Sequence, residues 1–145
     1  MKRRRSAHGW SEPVALVGST AAGTDSSVSQ TFTLPAGSPT ISFWYNNHCP
    51  DTLTFDWATA TLTDNATSTT TTLLPKTCTT TGVWTQVTFN ATANAGHSVT
   101  LTLANHDDNA AGDPTFTWYD DVTVSTGTSD TTPPTTSITA PANGA

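Results

Sequence analysis

The sequence predicts an all-β domain, an antiparallel β-sandwich of jelly-roll type with about eight strands. Three observations carry this prediction. The 145 residues include 34 Thr and 13 Ser, and Thr is a weak helix former but a good strand former. Glu occurs once and Lys twice, so the residues that cover ordinary helix surfaces are almost missing. Apolar residues alternate with polar ones between turn signals about every 12 residues, the spacing of an all-β fold.

The elements follow in order. Val14 to Val17 is a short apolar run. Val28, Gln30, Phe32 and Leu34 share one face and stop at Pro35-Ala36-Gly37. Ile41, Phe43 and Tyr45 oppose Ser42, Trp44 and Asn46 up to Cys49-Pro50-Asp51. Leu53, Phe55 and Trp57 are expected to open the next strand, and the change of parity to Ala58, Ala60 and Leu62 predicts a bulge near Trp57. After Asp64-Asn65, Thr69 to Leu74 is extended until Pro75. Val83, Val87 and Phe89 form a further strand, and Val99, Leu101 and Leu103 another. The last strand sets Phe116, Trp118, Val122 and Val124 on one parity, with Asp120 among them. Two sheets built from these strands bury the apolar parity and leave Thr outward, where its hydroxyl stays wet. The chain divides into a basic N-terminal arm, 1–7, expected to be unordered; the sandwich, 8–125; and a Thr/Pro linker with the start of a following module, 126–145.

Charged residues are 11% of the chain, against about 25% in ordinary domains. Four of the five basic residues lie in Lys2–Arg5, so from residue 6 onward one Lys faces eleven acids. An acidic body has no basic stripe to neutralise phosphates, which argues against a nucleic-acid partner. No apolar run approaches the length of a transmembrane helix, so membrane insertion is not expected. Met1–Arg5 resembles the charged start of a secretory signal but no apolar stretch follows, so the chain is expected to carry no signal peptide and to be part of a longer secreted protein. Cys49 and Cys78 are too few for a zinc quartet; they are expected to form a disulfide in an oxidising compartment, with two buried thiols as the alternative.

The segment Ser98-Val99-Thr100-Leu101-Thr102-Leu103-Ala104-Asn105-His106-Asp107-Asp108-Asn109, with Gly112-Asp113-Pro114-Thr115 and Trp118-Tyr119-Asp120-Asp121-Val122, resembles the galactose-binding-like and MAM-like jelly rolls, including carbohydrate-binding modules, of secreted bacterial proteins. Leu16–Thr20, Val28–Pro35 and Ile41–Tyr45 are similar to the early strands of these domains. Asp130–Pro134 with Pro141–Ala145 resembles the opening of a bacterial immunoglobulin-like repeat. The resemblance implies a non-catalytic accessory module of an extracellular protein that binds a polysaccharide or cell-wall glycan and is joined to other domains of its parent. The alternative is a structural or protein-binding spacer attached to a secreted protease or other hydrolase. It also implies a structural Ca²⁺ held by Asp120 or Asp121, with Glu12 or Asp25 as contributors from the N-terminal side.

The residues themselves nominate sites. Asn105, His106, Asp107, Asp108 and Asp113 form a dense oxygen-rich loop suited to a hard cation or a ligand; the alternative is an Asp/Asn loop that bonds its own backbone. Asp56, between Phe55 and Trp57, is expected to face a concave surface with Trp44 or Tyr119, pairing a carboxylate with an aromatic platform for a sugar. Trp10 is the tryptophan expected to be exposed. His8, His48, His97 and His106 lie in separate turns and show no zinc spacing. There is no Gly-x-Ser-x-Gly elbow and no assigned pair of facing carboxylates, so an enzyme is not expected. The Thr-x-Thr runs are too irregular in spacing for a solenoid with a repeating Thr face.

Overall fold

A computed structural model describes residues 3–5, 11–13 and 15–127. Among the described residues ten strands follow one another: β1 (Arg3–Arg5), β2 (Ser11–Pro13), β3 (Ala15–Gly18), β4 (Ser26–Thr33), β5 (Ser38–His48), β6 (Trp57–Asp64), β7 (Thr69–Thr77), β8 (Thr85–Asn90), β9 (Ser98–His106) and β10 (Phe116–Gly127). Eight of them form two antiparallel four-stranded sheets, ordered β3-β10-β5-β8 and β4-β9-β6-β7. The all-β sandwich expected from the sequence is therefore the observed fold. Arg3–Arg5, expected within an unordered arm, pair with Ser11–Pro13 instead. Thr126 and Gly127, expected to open the linker, instead continue β10 against Pro39 and Ser38. Trp10, His8 and residues 128–145, with the rest of the expected linker and the following module, lie outside the described residues.

Alternation explains the layers. In β6 and β9 every second residue is buried, Ala58, Ala60, Leu62 and Asp64 on one strand and Val99, Leu101, Leu103 and Asn105 on the other. Ile41 and Phe43 from β5 and Tyr119 from β10 meet them from the opposite sheet. The Tyr119 ring packs edge-on to Phe43 at 6.0 Å. Its hydroxyl crosses the sandwich to Ala104 O at 2.8 Å and Thr59 O at 3.2 Å. Burial pushes the Tyr119 hydroxyl well above the usual phenol range.

Two strand readings are corrected. Leu53 and Phe55 do not open β6: they lie in a turn, about half exposed, and β6 starts at Trp57, which is already on the outward parity. No bulge is needed at Trp57; the irregularity lies further on, where β7 slips against Ala58, Ala60 and Thr61. In β10 the expected single parity breaks between Asp120 and Thr123, where Asp121 takes a left-handed φ of 50°. The bulge brings Val124 opposite the core residue Ile41, and Thr123 opposite Ser42, to which it is hydrogen-bonded at 2.7 Å.

The end of the sandwich where β6 runs out and β9 begins is tied by one buried carboxylate. Asp64 Oδ2 lies 2.7 Å from His97 Nδ1 and accepts Asn94 Nδ2 at 2.8 Å. Asp64 Oδ1 accepts the backbone N–H groups of Ala66 and Thr67. The His97 bond, then that of Asn94, then the two backbone donors hold this carboxyl far below the usual carboxylate range, against the opposing effect of burial. A depressed folded value means that its contribution is present above the unfolded pKa of about 3.9 and is lost as pH falls towards the folded one. Asp64→Ala is expected to lower the melting temperature by several degrees at pH 7. The gap from wild type should narrow in melts taken from pH 5 down to pH 2.

Candidate functional site

The opposite end of the sandwich gathers the loops 19–25, 49–56 and 107–115, and nearly every residue nominated from the sequence. A buried polar chain holds them. Asn47 accepts the N–H of Thr79 at 2.8 Å and donates to Thr117 Oγ1 at 3.0 Å. Thr117 donates to Asn105 Oδ1 at 2.9 Å, and Asn105 donates to Thr115 O at 2.8 Å. Thr115 Oγ1 donates to Asp56 Oδ2, and Asp56 Oδ1 accepts the N–H of Asp108 at 2.8 Å. Gly18 must remain glycine beside this chain: it has φ of 96°, and a Cβ there would stand 2.7 Å from Asn105 Nδ2. Cys49 and Cys78, 29 residues apart, are disulfide-bonded. The bridge joins the loop after β5 to the loop after β7, and so fastens one sheet to the other beside the chain. Closing a loop of this size contributes about 3.6 kcal/mol in the chain-entropy model.

These bonds decide what each nominated residue does. Asp56 is fully buried with both oxygens engaged, so its reading as an open carboxylate facing Trp44 or Tyr119 is corrected. Trp44 lies on the outward parity of β5, and Tyr119 is in the core. Asn105 is an interior link in the polar chain. Asp107 is buried and accepts from Gly23, Asn109 and Thr115, tying two loops together in the self-bonding manner. Asp108 is exposed and accepts the N–H of Ala110. Carboxylate oxygens from Asp51, Asp56 and Asp108 lie within 4.8 Å of one another, an arrangement able to hold a metal ion. Asp113 stands near them with its Oδ1 buried and without a hydrogen-bond partner. Burial, then the charges of Asp51, Asp108 and Asp56, push its carboxyl upward. Asp51 had no signal in the sequence beyond its place after Cys49-Pro50; only closure of the disulfide loop brings it to Asp108.

Beside this acidic pocket, a groove of about 370 Å³ opens on the outer face of the β4-β9-β6-β7 sheet. It is lined by Asp25, Ser27, Trp57, Thr59, Thr102 and His106 among others. Trp57 of β6 and His106 of β9 are directly paired, and their rings stack at 4.0 Å with 19° between planes. Lys76 Nζ lies 3.6 Å over the Trp57 ring, and the mostly exposed Asp25 is hydrogen-bonded to His106 Nδ1. The four side chains form one row across four strands: Lys76, Trp57, His106, Asp25. Cation over ring, ring on ring and ring to carboxylate each stabilise the next.

The expected calcium partners are not all brought together. Asp25 is on the outer face of one sheet, while Asp120 pairs with Trp44 on the outer face of the other. Packed sheets stand about 10 Å apart, so Asp120 and Asp25 do not share a site. Asp120 is buried, with Oδ1 accepting the N–H of Asp121 and Oδ2 without a hydrogen-bond partner. Glu12 lies in β2 opposite Arg4, and its side chain is outside the described residues.

The architecture is an antiparallel β-sandwich of two four-stranded sheets. Among solved structures, the chain is similar to TmCBM61, a structure determined in complex with β-1,4-galactotriose, at 12% identity and a TM-score of 0.52, covering 77% of this chain and 80% of that one. No protein-family model matches the chain, and no curated protein matches it.

A raised carboxyl favours folding when protonated, and that contribution is lost as pH rises through its folded value. Asp113→Asn is therefore expected to raise the melting temperature at pH 7 and to leave it nearly unchanged at pH 3, read by melts at both values in chelator.

Proposed function

We propose that this chain is a non-catalytic glycan-binding module of an extracellular protein. The observation that carries the reading is the Trp57–His106 stack, set in an open groove with the Asp25 carboxylate and the hydroxyls of Ser27, Thr59 and Thr102. A sugar presents a C–H face that packs on an aromatic ring, and hydroxyls that need both acceptors and donors. Lys76 covers the second face of Trp57, but it is an exposed, flexible side chain that a sugar ring can displace. The fold likeness to a carbohydrate-binding module supports the reading, as does a disulfide suited to oxidising surroundings. The polar chain and the disulfide keep the groove preformed, which lowers the ordering cost of binding.

The test is a glycan screen that includes β-1,4-galactan, followed by calorimetry on the glycans retained. Trp57→Ala is expected to weaken binding by about tenfold or more, the loss of one stacking platform, and Asp25→Ala by less. Asp25→Ala should shift the melting temperature little, because its side chain is mostly exposed. Trp57→Ala also gives up the His106 and Lys76 contacts, so its binding is read below its own melting temperature. Failure of every glycan to bind would reject the reading in favour of the spacer.

The calcium reading has two places. Asp51, Asp56 and Asp108, beside the Asp113 oxygen, offer the oxygen set a hard cation requires. Asp120 and Asp121 are the second. Calcium is expected to raise the wild-type melting temperature. Asp108→Asn should abolish that rise if the loop holds the ion, and Asp120→Asn if the strand does; no rise in wild type means no site.

A further inference from the structure

The outward face of the β4-β9-β6-β7 sheet does not end at the groove. Strand register sets Ser29, Thr102, Thr61 and Thr72 in one row across all four strands. The next row is Thr31, Thr100, Thr63 and Thr70, in which Thr31 bonds to Thr100 at 2.7 Å and Thr63 to Thr70 at 2.9 Å. The Thr-x-Thr runs, irregular along the chain, thus become a regular grid once four strands lie side by side. Neighbours in the grid are about 4.8 Å apart across strands and about 6.7 Å along them. Neither row contains a charged side chain, and neither contains an aromatic or large apolar one.

Resting on the glycan reading above, we infer that this face binds an extended neutral polysaccharide lengthwise, one sugar on the Trp57–His106 stack and following sugars over the hydroxyl rows. Charge and polarity select the partner. An anionic polymer would meet a body with one Lys against eleven acids after residue 5, and loses by repulsion. A protein interface of useful strength needs a buried apolar or aromatic centre, which the hydroxyl rows do not supply. A hydroxyl both donates and accepts, as a sugar hydroxyl does, so the grid matches a polyhydroxylated chain unit by unit. From His106 to Thr100 the face runs about 20 Å, long enough for several sugars. Single neutral hydrogen bonds contribute little net free energy in water, so affinity on this face has to accumulate with chain length.

The experiment is calorimetry with neutral β-1,4-linked galactose, glucose, xylose and mannose oligosaccharides of one to six units. It uses the wild-type chain and a variant carrying Thr61→Val, Thr63→Val and Thr100→Val, all outside the groove lining. Valine keeps the branched shape of threonine and puts a methyl group where the hydroxyl stood, and matching melting curves would confirm the fold. Wild-type affinity is expected to rise with length within the preferred series. The variant should keep the affinity for the shortest ligand bound and lose about tenfold or more on the hexasaccharide. An affinity independent of length, or a variant that still gains with length as wild type does, would overturn the lengthwise mode while leaving a glycan site at Trp57. Failure of wild type to bind any oligosaccharide would overturn both.

Discussion

The buried hydrogen-bonded chain from Asn47 through Thr117, Asn105 and Thr115 to Asp56 is the constraint on which this end of the molecule depends. It threads between the sheets where an apolar core would otherwise continue. Each member supplies the partner the next requires, so no link is removed without leaving a buried polar group unmatched. Asp56 and Asp107 then hold the loops by accepting their backbone N–H groups. The acidic pocket and the groove inherit their positions from this frame. A carboxylate in such a frame is a structural acceptor first, which is why Asp56 is not the open ligand its neighbours Phe55 and Trp57 led one to expect.

The groove has a different origin. Its row of Lys76, Trp57, His106 and Asp25 is assembled by register alone, one residue from each of four strands or their first flanking position. The same register carries the hydroxyl rows above it. A slip by one residue in β9 would turn His106 and Thr102 into the core and Leu103 out to water. Burial of Leu101 and Leu103 opposite Ala60 and Leu62 therefore places the outward chemistry, although none of those side chains touches it.

How much of this was legible in the sequence differs by element. The alternation of Val99, Leu101 and Leu103 with Thr100 and Thr102 set the inner and outer faces of β9, because period two has one physical meaning on a pleated strand. The clustering of acids marked one loop, 107–115, at a single end of the sandwich, where Asp108 and Asp113 stand near Asp51 and Asp56. Leu53 and Phe55 were misread because a turn that exposes two apolar residues mimics alternation, and local pattern contains nothing to separate the two. The β10 bulge was missed for a related reason. Asp120 and Asp121 interrupt an apolar strand, but whether a bulge or exposure answers that interruption depends on the neighbouring strand.

Composition and periodicity, by themselves, determined the all-β class, the inward and outward faces of most strands, the acidic character and the pairing available to the two cysteines. These are local or additive properties, readable without knowing which strands are neighbours. Only the tertiary structure decided that Trp57 stacks on His106, that Asp25 sits across the sandwich from Asp120, that Asp51 joins Asp56 and Asp108, and that scattered threonines form a grid. Each of these is a contact between segments far apart in the chain, and strand order and register are set by burying the whole core at once.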